Sequence, residues 1–177
     1  MTLEQLAESL KYGSITLTEW QAQMRDIVRA ECIIAMELTK GGRDNVTPAD
    51  WGYVGSQVKQ YYDLLDGFAS DIQSDPAKWL NGKMLNARMA QYGQIGYNAL
   101  EDDLNREAKK SGFTEERNVL EQRDEGNCDG CLKETALGWV PIGTLVPVGE
   151  RDCHANDRCS IEYRKPDGAG SWIYGDE

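Results

Sequence analysis

Cys128, Cys131, Cys153 and Cys159 crowd the last third of this chain, and their spacing is the strongest chemical signal in the sequence. They read C-x2-C, then twenty-one residues, then C-x5-C. Two thiolates separated by two residues can share one tetrahedral ion, as in many zinc sites, and Asp129-Gly130 between them predicts a tight turn. The second spacer is wider than a zinc knuckle uses, so His154, next to Cys153, competes as fourth ligand. The alternative chemistry is a pair of disulfides, useful to a module with little core that matures in an oxidising compartment. The start, Met1-Thr2-Leu3-Glu4-Gln5, lacks the basic residues and apolar centre of a secretion signal. That predicts synthesis in the cytosol, where thiols stay reduced and zinc is favoured. A closed four-ligand site leaves no position for substrate water, so the expected role of the ion is to hold the fold.

Other reactive arrangements are poorer. Cys153 and His154 are adjacent, a spacing that rarely turns both side chains onto one reacting atom, and His154 is the only histidine. The acidic run Glu115, Glu116, Glu121, Asp124 and Glu125 reads as a solvated surface rather than an acid–base pair. No glycine loop of the phosphate-binding type occurs. The chain is therefore expected not to be an enzyme. Cys32, on a helix far upstream, reads as a small buried hydrophobe.

The elements that position these residues are mostly helical. Thr16-Leu17-Thr18-Glu19 forms a capping box, and Leu17, Trp20, Met24, Ile27, Val28, Ile34, Ala35 and Leu38 then recur at helical spacing up to Gly41-Gly42. A short extra helix is expected over 3–10. Thr47-Pro48-Ala49-Asp50 starts a second long helix, with Val54, Val58, Tyr61, Tyr62, Leu65, Phe68 and Ile72 on one face. Asp75-Pro76 starts a third, expected to run to about Lys110; its small residues Gly93, Gly96 and Ala99 would let another helix approach closely, within this chain before a neighbour. The fold class that follows is mainly α: an antiparallel bundle of about three long helices over 1–112. Beyond Gly112 glycine and proline interrupt every helical pattern, which predicts a small irregular module over 113–166 with short strands at 114–122 and 160–164. A tail, 167–177, carries Trp172, Ile173 and Tyr174, apolar enough to dock on its own domain or on a neighbour. Between the cysteine pairs, Gly138 and Gly143 bracket Trp139-Val140-Pro141-Ile142 as an apolar knob between two sharp turns.

Charge narrows the partners. Thirty acids against nineteen bases give a net charge of −11, and residues 113–177 alone hold fourteen acids and seven bases. Attraction to naked nucleic acid or to an anionic membrane is not what this balance favours, and no run of eighteen apolar residues offers a membrane span. A protein partner is expected.

The segment Cys128–Tyr163 resembles the C-terminal portion of tailed-phage minor head proteins, the Mu-like, portal-associated head morphogenesis family. The residues that carry the resemblance are CDGC at Cys128–Cys131, ALGWVPIGTLVPVG at Ala136–Gly149, and Arg158-Cys159-Ser160-Ile161-Glu162-Tyr163. Asp157 stands where the family's last cluster has its middle cysteine, which makes Asp157, like His154, a substitute ligand. The resemblance implies a structural virion protein at the head or head-to-tail junction, made in the host cytoplasm and acting in head assembly. Its implied partners are the portal protein, the major capsid protein or both. It would be present as a homo-oligomeric ring or in several copies, without a membrane and without sequence-specific nucleic acid binding. Trp139, Pro141, Trp172 and Tyr174 are the expected partner-binding residues. The competing expectation is a cytosolic, zinc-stabilised protein-binding module or regulator.

Overall fold

The computed structural model describes residues 2–81, 83–120, 127–146, 151, 152, 159–167 and 171–173. The protein is mainly helical with a small antiparallel sheet, as the sequence pattern predicts. It divides into two compact units, Met1–Ala99 and Leu100–Glu177.

In the first unit, α1 spans Leu3–Lys11, α2 Leu17–Thr39 and α3 Pro48–Ser74. Each opens on a threonine that completes a capping box, with Gln5, Glu19 and Asp50 answering Thr2, Thr16 and Thr47. The pairings across α2 and α3 make them an antiparallel hairpin. Lys40, just past the end of α2, pairs with the buried Asp50 near the start of α3 at 3.3 Å. At the other end Arg25 and Gln21 both donate to Asp66 Oδ1 at 2.6 Å. Trp20, Met24, Val28 and Cys32 are fully buried on α2, whereas Ile34 and Leu38 face solvent.

The expected third long helix is three shorter ones: α4 (Pro76–Leu80), α5 (Met84–Tyr92) and α6 (Ile95–Lys110). After α5 the helix tightens into short-range bonds, Gly93 N–H to the Ala90 carbonyl and Gln94 N–H to that of Gln91, and a new helix starts. The breaks have a packing reason. Trp79 and Tyr92 both pack on Phe68, with ring centroids 5.0 and 6.2 Å away, and Trp20 meets the same ring edge-on at 5.7 Å. On one straight helix residues 79 and 92 would lie about 20 Å apart along the axis. The small residues pack within the chain: Ala99 is buried, and a Cβ at Gly96 would collide with the Glu31 carboxylate of α2.

The Arg25 hydrogen bond holds the Asp66 carboxyl below the usual aspartate range, helped by Gln21 and by the nearby positive charge, against a smaller opposing effect of burial. A lowered folded-state pKa contributes stability that is present above the unfolded value and lost as pH falls through the folded one. The helical unit is therefore expected to weaken as pH drops below about 4. Asp66→Asn should flatten that part of the profile, which thermal unfolding followed by helical circular dichroism between pH 2 and 6 will read.

Among the described residues of the second unit four strands run β1 (Glu115–Val119), β2 (Val140–Pro141), β3 (Ser160–Arg164) and β4 (Ser171–Ile173), in the spatial order β2-β1-β3-β4 and all antiparallel. Between β1 and β2, α7 covers Asp129–Ala136. One face of the sheet builds a small core of Ile142, Leu145, Ile161 and Tyr163. Ala108 of α6 joins that core, with Phe113 and Val140 packed around it, so the division between units falls inside α6 rather than at Gly112. Part of the expected tail has a place in the sheet, where β4 pairs with β3 through Trp172 opposite Tyr163 and Ile173 opposite Glu162. The backbone around Trp172 is thus engaged by its own domain. Tyr174 lies outside the described residues.

Candidate metal centre

Cys128 is the N-cap of α7, with extended backbone (φ −70°, ψ 159°), and its Sγ accepts the Cys131 amide at 3.4 Å. The expected tight turn at Asp129-Gly130 is instead the first turn of a helix, because the Cys128 sulfur does what a serine or aspartate oxygen does at other helix starts. N-cap and third position lie on the same end of a helix, where free amides and the positive end of the dipole favour a thiolate. Cys131 is buried and Cys128 half-buried.

Arg151 and Asp152 lie at the same end of α7. Gly130 lies against Arg151 and Asp152, close enough that a Cβ would stand 3.1 Å from the Asp152 backbone nitrogen. The residue after Asp152 is Cys153. Cys159, buried, leads into β3, whose Ser160 and Ile161 pair with Val119 and Asn118 of β1. From β1, Asn118 Nδ2 donates to the Cys131 carbonyl at 3.3 Å and to Thr135 Oγ1 at 2.7 Å. Arg151 closes the set, donating to Asn118 Oδ1 at 2.6 Å and to the Val146 carbonyl at 2.9 Å.

Cys153, His154 and Asp157 lie outside the described residues. Among the described residues no three Cys, His, Asp or Glu side chains make up an ion cage, and no disulfide joins Cys32, Cys128, Cys131 and Cys159 to one another. The residue types suit a zinc ion in their chemistry: soft sulfur donors, one of them, at a helix N-terminus, accepting a backbone N–H.

The apolar knob is held by a residue that the sequence reading placed on the surface. Glu116 is 1% exposed, and its Oε1 accepts the amides of Gly143, Thr144 and Leu145 at 2.9, 2.9 and 3.0 Å. Strand alternation explains the error: Glu115 and Glu116 are adjacent in β1 and point to opposite faces. Glu115 stays outside, bonded to Arg164, which lowers its carboxyl pKa. Gly138 (φ 66°) and Gly143 (φ 94°) take the left-handed backbone that their bracketing role requires.

Trp139 is half-buried, and the guanidinium groups of Arg117 and Arg164 lie over its ring, 4.7 and 4.5 Å from the centroid. Those arginines pair in turn with Glu162 and Glu115. Since Arg117 and Asn118 point to opposite faces of β1, this stack and the α7 contact lie on opposite sides of the sheet. Pro141 is exposed. Inside the core, burial, followed by the charges of Glu101 and Glu116, pushes the Tyr163 hydroxyl far up in pKa, so it remains a neutral donor to Asn105 Oδ1 at 2.8 Å.

Among the described residues no helix is long and apolar enough to cross a membrane. No family model, curated protein or solved structure matches this chain.

Proposed function

We propose that this chain is a structural, non-enzymatic virion protein of a tailed phage, a minor head or portal-associated protein that acts in head assembly through protein–protein contacts. The observation that carries the reading is the construction of the second unit. The motif residues that resemble the minor head family are those that build it: CDGC starts α7, the glycine-bracketed knob is locked onto Glu116, and Cys159 leads into β3. The cysteine centre staples this unit, with Cys128, Cys131, Cys153 and Cys159 holding zinc and His154 or Asp157 available as substitutes. Zinc there supplies only cross-linking; the residues around it set the shape. Trp139 and Pro141 then offer a rigid apolar and cationic edge to the portal or major capsid protein. The helical unit is suited to repetition around a ring.

The expected result is that the chain copurifies with intact heads in a fixed copy number, and that Trp139→Ala with Pro141→Ser lowers its incorporation while the soluble protein still folds. Heads assembled at the normal rate without the chain would remove this reading in favour of a cytosolic binding module.

A further inference from the structure

We infer that Cys128 and Cys131 are a redox-active pair, which a small-molecule disulfide such as oxidised glutathione closes to one internal disulfide and free thiols open again. The inference needs two sulfurs and no ion, so it stands apart from the metal reading. Cys128 is the N-cap of α7 and Cys131 the third residue of that helix. The Cys128 Sγ is already turned toward its partner, since it accepts the Cys131 amide at 3.4 Å. Residues three apart at a helix start have Cα atoms about 5 Å apart, inside the roughly 4.4–6.8 Å that a disulfide spans. The backbone therefore has the spacing that a bridge requires. Access differs between the two sulfurs: Cys128 is half-buried and Cys131 only 1% exposed, which gives first attack to Cys128 and closure to Cys131. Cys128 gives up its proton and attacks one sulfur of the oxidant, and one thiol leaves carrying a proton. Cys131 then gives up its proton and attacks the Cys128 sulfur of the mixed disulfide, releasing the second thiol. Two electrons pass from the cysteines to the oxidant; one S–S bond breaks and one remains on the protein. The product replaces a weak N–H···S bond with a covalent clasp at the start of α7, where Asn118 of β1 holds the Cys131 carbonyl.

The full-length chain, as purified and without chelator, is equilibrated in mixtures of oxidised and reduced glutathione, quenched with acid and alkylated, and its disulfides are mapped by peptide mass spectrometry. The expected result is a Cys128–Cys131 link that forms first as the oxidised share rises and that dithiothreitol reverses, while the buried Cys32 stays reduced. In Cys131→Ser, Cys128 should be trapped as a mixed disulfide with glutathione; in Cys128→Ser, Cys131 should react several-fold more slowly than Cys128 does in the wild type. If either variant does not fold, the wild-type map decides alone. Cys131 linked to Cys153 or Cys159 instead, or both thiols of the pair still open to alkylation in oxidised glutathione alone, would overturn the inference. Zinc counted in the untreated chain reads the metal reading separately. A Cys128–Cys131 link in a chain that carries no zinc removes the metal reading and keeps this inference; a zinc-loaded chain in which the link never forms does the reverse.

Discussion

Removing metal with a strong chelator is expected to unfold residues 100–177 and leave residues 1–99 helical. The second unit has a small apolar core, with Ile142, Leu145, Ile161 and Tyr163 as its main members. A core of that size rarely supplies more than about 3–5 kcal/mol. Zinc bound by thiolates is worth far more, about 10–16 kcal/mol in small zinc-folded peptides near neutral pH, and that binding energy is folding energy. Loss of the ion should therefore exceed the unit's own margin. Cys131→Ser should reproduce the effect, because Cys131 is both buried and the N–H donor to Cys128. Amide exchange resolved along the chain reads the result: protection lost after residue 100 and kept in α2 and α3. Metal analysis of the untreated protein should find about one zinc per chain. A metal-free protein with oxidised, protected thiols and unchanged exchange after chelation would transfer the stapling role to disulfides.

Glu116→Ala carries the second large effect. The substitution leaves the amides of Gly143, Thr144 and Leu145 without their shared acceptor. Hydrogen bonds to an ionised partner contribute more than neutral ones, and a buried donor left alone costs its desolvation. Gly143 and Thr144 are exposed enough for water to replace part of the loss, whereas Leu145 is buried. The net destabilisation of the second unit is expected to be about 3 kcal/mol, read from denaturant unfolding of that unit. Glu116→Gln keeps an acceptor without the charge and should cost roughly half as much. The same loop carries the Trp139 stack, so the fluorescence of that tryptophan should change in Glu116→Ala before unfolding begins. Equal stability of wild type and Glu116→Ala would mean that the knob holds itself.

Helix starts were legible because capping is local. Thr16 with Glu19 and Thr47 with Asp50 satisfy free amides within three residues, so the sequence alone contains all the partners. The short strand at Ser160–Arg164 was legible from its β-branched and aromatic alternation, and the turns at Gly138 and Gly143 from glycine itself. Helix breaks were less so. Asn81-Gly82 and Gly93 are local breakers that the continuous helical pattern masked, and Phe68, on another helix, gathers Trp79 and Tyr92 onto one ring. Spacing likewise put Ile34 and Leu38 on the apolar face, yet both are exposed.

In the candidate centre, residue types and spacing named Cys128, Cys131, Cys153 and Cys159 because ligand chemistry is a property of the side chain and of short chain reach. The amino-acid order by itself also determined the mainly helical first unit, its capped starts and the change of character after Gly112. Tertiary structure alone decided that CDGC opens a helix instead of turning. It also decided that Glu116 points inward while Glu115 stays outside, and that Asn118 of β1 bonds both to α7 and to Arg151. The physical reason is range. Caps and glycine turns are satisfied within a few residues of the chain, but a buried carboxylate or amide is defined by partners thirteen to thirty-three residues away. Only the folded chain brings those partners within hydrogen-bonding distance.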